Sequence, residues 1–296
     1  MVYTRKRHWV TYYSEKCKMY LRNDFKFECA YCGMKEKYSV MGEQLFEKDH
    51  FVSRKSNVEW DVNRYDNMVY SCCKCNGTKG AQNIEMILDP CKDDIYDGEH
   101  PHIRKLGAEE HYRLQAVTTQ GQQFMDDLKL DSQFYRKMRR MQAENEEMRK
   151  TIWQLLEQSP NLQISGIDRK IKIYLQNGTL AEEESNEFRC GTSKAGEAIY
   201  AVLKKLKEKG IKCKLLFWDD DLDISVEYCG NTYYCEIRVT DYTGTKKTGP
   251  IVDREKIKEW QKTGYNCGVL YYYKEHDIMN LYIYPDKERE EIVELR

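Results

Sequence analysis

The feature that most constrains how this chain can fold is a pair of CxxC motifs, at residues 29–32 and 72–75. Two such motifs supply four thiolates, the ligand set of a closed tetrahedral zinc site. Cys73 could replace Cys72, but only Cys72 leaves the two-residue gap that lets both sulfurs reach one ion. The spacing therefore favours a structural Zn²⁺ site over a reduced thiol cluster without metal. The four expected ligands are Cys29, Cys32, Cys72 and Cys75.

Composition and cysteine usage bound the class of protein. The chain has 296 residues, of which 12 are cysteines and 41% are hydrophobic, and its formal net charge is −1. That length suits two domains with real cores, whereas disulfide frameworks are typical of much smaller secreted chains. The sequence has no run of about 18 apolar residues and no signal-peptide pattern. We therefore expect a cytoplasmic protein without a membrane partner, whose remaining cysteines are free thiols.

A long segment lies between the two halves of the expected zinc site. The two CxxC motifs are separated by 39 residues, too many for a minimal zinc knuckle. The segment contains Asp49, His50 and Asn67, and Asn76 directly follows the last cysteine. Because zinc would clamp both ends, we expect a strand pair carrying Asp49 and His50 to face a helix that begins near Asn76. An Asp-His pair alone is more often structural than catalytic, but the whole order of motifs is far more specific.

Taken together, the string CAYCG…DHFVSR…DNMVYSCCKCNGTKG closely resembles the HNH endonucleases, the ββα-metal nucleases, in their four-cysteine zinc form. The resemblance covers roughly residues 25–82. It implies a zinc-stapled domain of two strands and a helix that hydrolyses phosphodiester bonds.

The resemblance also assigns roles around the scissile phosphate. His50 would be the general base that activates water, and an imidazole suits this at neutral pH. Asp49 and Asn76 would hold one Mg²⁺ or Mn²⁺, because a hard cation prefers carboxylate and amide oxygens. Many relatives carry His at the position of Asn76, and Asn is a known alternative there.

Other residues of the segment would support these groups. The resemblance implies that Asn67 holds the loop and orients His50. Asn63 is a second asparagine nearby, but its spacing fits the family pattern less well, so Asn67 is preferred. Arg54 and Lys79 would contact phosphate, and the alternative is that both are exposed, solvated cations.

The second half of the chain alternates helix and strand patterns. The run SKAGEAIYAVLKKLKEKG predicts an amphipathic helix that ends at Gly210. The run VEYCGNTYYCEI predicts a hairpin with its turn at Gly230 and Asn231. In that register Asp223 lies opposite Arg238, and Glu236 is a diagonal neighbour on the same polar face.

With Glu197 on the preceding helix, this order weakly resembles the PD-(D/E)XK nucleases, such as restriction enzymes and junction resolvases, over about residues 190–275. The implied second site consists of Glu197, Asp223, Glu236 and Arg238. The chain departs from that family at Arg238, where lysine is usual, and arginine keeps its proton at working pH. The alternatives are a solvated sheet face, or an inactive domain that binds DNA or a partner.

These patterns predict an α+β protein in three parts. Residues 1–115 would form the HNH nuclease domain with an N-terminal helix and a downstream extension, and residues 116–165 would form a helical connector. Residues 166–296 would form an α+β targeting or partner domain. This domain would be of restriction-endonuclease-like type if the second resemblance holds. The boundary is expected near residues 159–167. An apolar stripe on the connector is expected to pack on one or both domains. It comprises Leu130, Phe134, Met138, Met141, Met148, Ile152 and Leu155.

The function expected from the sequence is a metal-dependent HNH endonuclease that hydrolyses DNA, with a role in bacterial or phage restriction or antiviral defence. RNA stays open as a substrate. A protein partner or activating signal would act through the C-terminal domain, and a homodimer is attractive because a double-strand cut needs two sites or two passes. The alternative is a non-catalytic zinc-stapled module that binds nucleic acid or protein.

Overall fold

The computed structural model describes residues 2–5, 10–39, 41–82, 87–96, 98–158, 186, 189–216, 222–240, 254–262, 264–274, 277–284 and 291–295. The chain divides into two compact units, residues 1–191 and 192–296. The expected boundary near residues 159–167 lies outside the described residues, and the three-part division stays a prediction. Within the described ranges, no helix is both long and apolar enough to cross a membrane.

Among its described residues, the first unit has four α-helices of eight residues or more and two small antiparallel sheets. Its helices are α1 (Cys17–Asp24), α2 (Cys73–Gln82), α3 (Thr119–Asp127) and α4 (Gln133–Gln158). Its strands are β1 (Phe46–His50), β2 (Met68–Cys72), β3 (Ile103–Lys105) and β4 (Leu114–Ala116). β1 pairs with β2, and β3 pairs with β4.

The β1–β2 hairpin and α2 form the centre of this unit. Asp49 on β1 lies opposite Val69 on β2, and His50 lies opposite Met68. Every residue of β2 is buried, because α1 and α2 both pack against the hairpin. A strand covered on both sides has no solvated face, which explains its continuous run of buried side chains. The expected strand pair and helix are both present, although α2 begins at Cys73 rather than near Asn76.

A buried ion pair ties α1 to the segment that precedes β1. The Arg22 guanidinium donates to both carboxylate oxygens of Glu36, at 2.9 and 2.7 Å. The side chains are 3% and 0% exposed, and the Tyr70 hydroxyl on β2 also donates to Glu36. Buried charges are tolerated only when they are paired and hydrogen-bonded in this way.

Helix α4 packs on the first unit through a face that the sequence did not predict. Phe134, Met141, Met148, Ile152 and Leu155 of the expected apolar stripe are all exposed, so the expectation that these residues are packed is wrong. Contact with the unit is made instead by side chains that hydrogen-bond to it. They are Tyr135, Arg139, Gln142 and Glu146.

The second unit contains a six-stranded sheet in the order β10-β9-β8-β7-β6-β5. Its strands are β5 (Lys212–Leu215), β6 (Ile224–Tyr228), β7 (Asn231–Thr240), β8 (Asn266–Tyr273), β9 (Ile278–Ile283) and β10 (Glu291–Leu295). Its described helices are α5 (Lys194–Glu208) and α6 (Arg254–Lys262). Helix α6 lies in the crossover between β7 and β8, which run parallel, and all other neighbouring strands are antiparallel.

Helix α5 and the following hairpin differ in how well the sequence predicted them. The Ser193 hydroxyl caps α5 by accepting from the Gly196 N–H, and Gly210 ends it at a φ of +72°, as expected. The hairpin turn, however, lies at Cys229 and Gly230, both with positive φ, and Tyr228 pairs with Asn231. Two successive positive φ values fit the right-handed twist of a two-residue hairpin, which explains why the turn lies one residue earlier than predicted.

We expect Arg22→Met to destabilise the first unit by about 3–5 kcal/mol, because it leaves the Glu36 carboxylate buried without its counter-charge. Chemical denaturation of the full chain, followed by tryptophan fluorescence and circular dichroism, measures this. Arg140→Met is the matched control, because Arg140 pairs with Glu144 on the surface, where the two side chains are 64% and 50% exposed. Equal effects of the two substitutions would show that the buried pair is not important for stability.

Candidate active site and zinc cluster

The four cysteines of the two CxxC motifs converge on one point. The sulfur atoms of Cys29, Cys32, Cys72 and Cys75 all lie within 4.8 Å of one another, and all four residues are buried. The Sγ atoms of Cys32 and Cys72 are 3.8 Å apart. A tetrahedral zinc site with Zn–S bonds of about 2.3 Å requires a sulfur–sulfur distance of about 3.8 Å. The cluster is therefore compatible with zinc, and Cys73, which is exposed, lies outside it.

The cluster fixes the junction between the hairpin and α2. Cys72 is the last residue of β2, and Cys75 lies in the first turn of α2. The hydroxyl of Tyr135, on α4, lies 3.2 Å from the Cys75 sulfur. Asn76 directly follows Cys75 on α2. The cluster that contains Cys75 therefore also fixes where Asn76 lies relative to β1.

Asp49 points from β1 towards α2. Its carboxylate accepts two hydrogen bonds from the Lys79 ammonium, at 3.0 and 2.9 Å, and one from the Tyr31 hydroxyl, at 2.7 Å. Burial raises the pKa of Asp49, while Lys79 and Tyr31 oppose this shift by stabilising the carboxylate. Lys79 is itself only 5% exposed, so it is not the exposed, solvated cation of the alternative, and its contact with phosphate stays a prediction.

Asn76 lies one helical turn before Lys79 and meets a different carboxylate. Its side-chain amide donates to Glu47 at 2.5 Å. Glu47 and Asp49 are two residues apart on β1 and therefore share one face of the strand. The face offers the carboxylate and amide oxygens that a hard divalent cation takes as ligands, so these residues fit such a cation. Joint ligation of one cation by Asp49 and Asn76 stays a prediction, because in the structure each pairs with a different neighbour.

His50 points to the other side of β1, as alternation along a strand requires. Its ring packs against that of Tyr12 in a tilted arrangement, with centroids 4.5 Å apart and planes at 35°. Its Nε2 atom lies 3.1 Å from the Oδ1 atom of Asn63. Burial lowers the pKa of His50, and the positive charges of Arg54 and Lys79 lower it further, against Asn63 and Asp49, which raise it.

Asn63 determines which ring nitrogen of His50 carries the proton. The Nδ2 group of Asn63 donates to the Asp61 carboxylate at 3.0 Å, so Oδ1 is the atom that faces the imidazole. A carbonyl oxygen can only accept a hydrogen bond, so Nε2 must donate and holds the hydrogen. In the neutral ring, Nδ1 is then left with its lone pair, which is the form that a general base needs.

Asn67 holds the loop but does not touch His50 in the described contacts. Its Oδ1 atom accepts from the Val52 N–H at 2.9 Å, and its Nδ2 group donates to the carbonyls of Val52 and Val62, at 3.0 and 2.8 Å. The loop that follows His50 is thus tied together at both ends by one amide. The orienting contact that we expected from Asn67 is made by Asn63, which the sequence analysis set aside.

The sequence contained a weak signal for Asn63. Asp61 and Asn63 form a D-x-N pattern in which the Asp61 carboxylate also accepts from the Asn63 N–H at 3.0 Å. This bond is typical of an Asx-turn, which presents the next side chains in a fixed direction. The pattern predicts a turn, but it does not predict that the turn faces His50.

Tyr12 is a second residue that the sequence analysis missed. Its ring packs against His50, and its backbone N–H donates to the Asn63 carbonyl at 2.8 Å. The Lys48 ammonium lies 4.4 Å from the centre of its ring, and the Arg54 guanidinium carbon lies 5.6 Å from it. Two cations over one ring beside His50 make this a locally positive surface. No spacing in the basic N-terminal segment marks Tyr12 out from its neighbours.

In the second unit, the structure brings together three of the four expected residues. Asp223 is fully buried, and its carboxylate accepts from the Ile237 N–H at 2.6 Å. Asp223 directly precedes β6, whose first residue, Ile224, pairs with Cys235, and the Asp223 N–H donates to the Cys235 carbonyl at 2.8 Å. Asp223 is therefore not opposite Arg238, as the predicted register had it. Glu236 pairs with Arg238 at 3.3 Å and with a residue that the sequence analysis missed, Lys256 on α6, at 3.0 Å.

Glu197, the fourth residue of that set, is not joined to the others. It lies in the first turn of α5 and is exposed. In the part of the chain that the structure describes, no contact connects it with Asp223 or Glu236. The expected second site is therefore reduced here to a buried aspartate beside a glutamate with two basic neighbours.

We expect Cys72→Ser to abolish zinc binding and cooperative folding of the first unit, because three thiolates cannot close the tetrahedral site. Elemental analysis of the purified protein and thermal unfolding measure the two effects. Cys73→Ser is the matched control, since it changes the adjacent, exposed cysteine. Retention of one zinc per chain in the Cys72 variant would contradict the assignment.

We expect ¹⁵N NMR of protein labelled at histidine to show that neutral His50 carries its hydrogen on Nε2. Asp61→Ala should produce a mixture of the two tautomers, because the Asn63 amide can then rotate and offer its NH₂ group instead. Asp66→Ala is the control on the same loop, because its carboxylate pairs only with Arg64 among the described contacts, at 2.5 Å on the surface. A hydrogen on Nδ1 in the unmodified protein would overturn the assignment.

The comparisons with known proteins agree with the first-unit site. Residues 29–82 match the family model described as HNH endonuclease. No curated protein and no solved structure is significantly similar to the chain. The matched segment begins at the first cluster cysteine and ends with α2, so it contains the cluster, Asp49, His50 and Asn63. Residues 29–82 thus match the HNH endonuclease domain, a class that acts on nucleic acid with divalent metal ions.

Proposed function

We propose that this protein is a metal-dependent endonuclease that hydrolyses DNA phosphodiester bonds at the HNH domain. The observation that carries the proposal is the setting of His50. Its Nε2 atom is bound by Asn63, its ring packs against that of Tyr12, and the preceding residue, Asp49, is a buried carboxylate. Such a histidine has one nitrogen committed to positioning and the other left as a base.

In the proposed reaction, Nδ1 of His50 takes a proton from water as the oxygen attacks phosphorus and the 3′ oxygen leaves. Asp49 and Asn76 would hold Mg²⁺ or Mn²⁺, which neutralises charge on the phosphate and on the leaving oxygen when bound. Tyr31 and Lys79 hold the Asp49 carboxylate in place. Asn67 fixes the loop that carries Asn63, and in this way it supports His50 indirectly.

The cations around His50 support nucleic acid as the substrate. Arg54 is exposed beside Tyr12, where it can contact a phosphate that approaches the imidazole. Lys48 donates to the Tyr12 carbonyl at 2.6 Å and adds positive charge to the same surface. Lys79 is buried against Asp49, so its phosphate contact would require the ammonium to leave that carboxylate. We infer DNA as the substrate from the family resemblance, and RNA is the substrate to compare.

We further propose that the second unit selects the target, a partner or a trigger. The order α5-β5-β6-β7-α6-β8, with β7 and β8 parallel, supports the weak resemblance to PD-(D/E)XK nucleases. The buried state of Asp223 and the arginine at 238 favour a recognition role over a second catalytic one. Restriction or antiviral defence in the cytoplasm is the biological role that we propose with this arrangement.

We expect the purified protein to nick supercoiled plasmid in the presence of Mg²⁺ or Mn²⁺. His50→Ala should lower the cleavage rate by at least about 10²-fold, because proton transfer by a positioned base contributes about 10²–10⁴-fold. Zinc content and the unfolding midpoint should stay unchanged in this variant. Agarose gels and initial rates measure the loss.

Glu236→Ala is the control for the second unit and should retain cleavage. If cleavage is lost in Glu236→Ala but kept in His50→Ala, the second unit is the nuclease. If no version cleaves plasmid or RNA while zinc stays bound and DNA still binds, the alternative of a zinc-stapled binding module holds instead.

A further inference from the structure

Helix α4 packs on its own unit through polar side chains and leaves several large apolar side chains exposed. Arg139 donates to the carbonyls of Tyr112 and Leu130, at 2.7 and 2.9 Å, and is buried. Gln142 accepts from the Lys35 N–H at 2.9 Å, and Glu146 accepts from the Tyr38 hydroxyl at 2.9 Å. The contact with the unit therefore uses hydrogen bonds along the helix. Five large apolar side chains of the helix are left exposed within the described residues.

The exposed apolar side chains repeat every seven residues. Phe134, Met141, Met148 and Leu155 are 51%, 50%, 59% and 59% exposed. Ile152, which lies four residues after Met148 and three before Leu155, is 39% exposed. Side chains at steps of seven, three and four residues form one stripe along a helix, which is the a/d pattern of a coiled coil. A continuous apolar stripe on the surface of a helix is typical of an interaction site, because exposed apolar surface favours association.

Assigned to a heptad, the stripe has one polar position. With the residues at steps of seven as d positions, the a positions are Met138, Asn145 and Ile152. A single asparagine at an a position selects a parallel, in-register pair of helices, because each amide then meets its equivalent instead of an apolar side chain. Asn145 is exposed and donates one bond to the Met141 carbonyl, at 2.8 Å. An amide has a second hydrogen and an oxygen, which leaves capacity for a cross-helix bond.

We propose that the stripe on α4, from Phe134 to Leu155, is a homodimer interface that pairs with α4 of a second copy as a parallel two-stranded coiled coil. The pattern is self-complementary, since a second copy offers the same heptads and the same asparagine in the same register. An unrelated helix would have to reproduce that polar position. The stripe spans 22 residues, about 33 Å of helix at 1.5 Å per residue, or three heptads.

The proposed dimer would affect how a duplex is cut, but the proposal does not require that the protein cleaves nucleic acid. Two copies would carry two His50 sites in one particle, which would allow both strands of a duplex to be cut without a second pass. The interface lies outside residues 29–82, so it is not part of the matched HNH segment. A mass measurement tests the dimer, and its result is independent of whether His50 is a catalytic base.

The test is the mass of the full chain in solution, measured by sedimentation equilibrium over a wide range of protein concentration. We expect the unmodified chain to approach twice the monomer mass, and we expect Met148→Glu and, separately, Met141→Glu to halve it. Both side chains are exposed, so neither substitution should disturb folding, which zinc content and circular dichroism check. Lys150→Glu is the control, since it makes a larger charge change on the opposite side of α4.

Asn145→Ile tests the register. In a coiled coil it should remove the preference for two strands and shift the mass above that of a dimer, because the polar position sets the oligomeric state. A monomer at every concentration would overturn the proposal, as would a dimer that persists in both folded methionine variants. A dimer lost equally in the Lys150 control would also overturn it, because the effect would then follow charge and not the stripe.

Discussion

Convergence of four thiolates is the constraint on which the rest of the first unit depends. The segment that carries the site chemistry is closed at one end by Cys29 and Cys32 and at the other by Cys72 and Cys75. The hairpin within it has only two strands, and an isolated pair of this size is marginally stable in water. A zinc ion held by the four buried sulfurs would supply the missing stability, because the binding energy of such a site is folding energy. The HNH segment can therefore be small and still hold side chains in fixed positions.

Alternation along β1 divides the site between two sets of neighbours. Asp49 faces α2, and its carboxylate is held by Lys79 of α2 and by Tyr31 of the first CxxC motif. His50 faces the loop and the N-terminal segment, where Asn63 and Tyr12 hold its ring. Because the two residues are adjacent, one strand end delivers a carboxylate and an imidazole to the same region. Each can then be tuned by different groups.

The sequence predicted well whatever depends on covalent spacing. The four-cysteine cluster follows from the spacing of the CxxC pairs, and Cys72 was distinguished from Cys73 by one residue of spacing. The strand pair and α2 were expected because zinc would clamp both ends of the segment between those pairs. The roles of Tyr12, Asn63 and Lys256 were missed because each depends on a contact between segments distant in sequence or on a turn whose direction is set by packing. The exposed side of α4 was missed for another reason. A periodic stripe shows that a helix has an apolar face, but not what covers it.

The polar attachment of α4 also has a physical consequence for the cluster. Tyr135 reaches the Cys75 sulfur from the same face that carries Arg139 and Gln142. Hydrogen bonds depend on direction far more than apolar contacts do, so this face fixes the rotation of α4 about its own axis. That rotation in turn determines which side chains are left outside. The exposure of the heptad stripe is thus a result of how α4 is held against the zinc cluster, and changes to the polar face would change the presentation of the stripe as well.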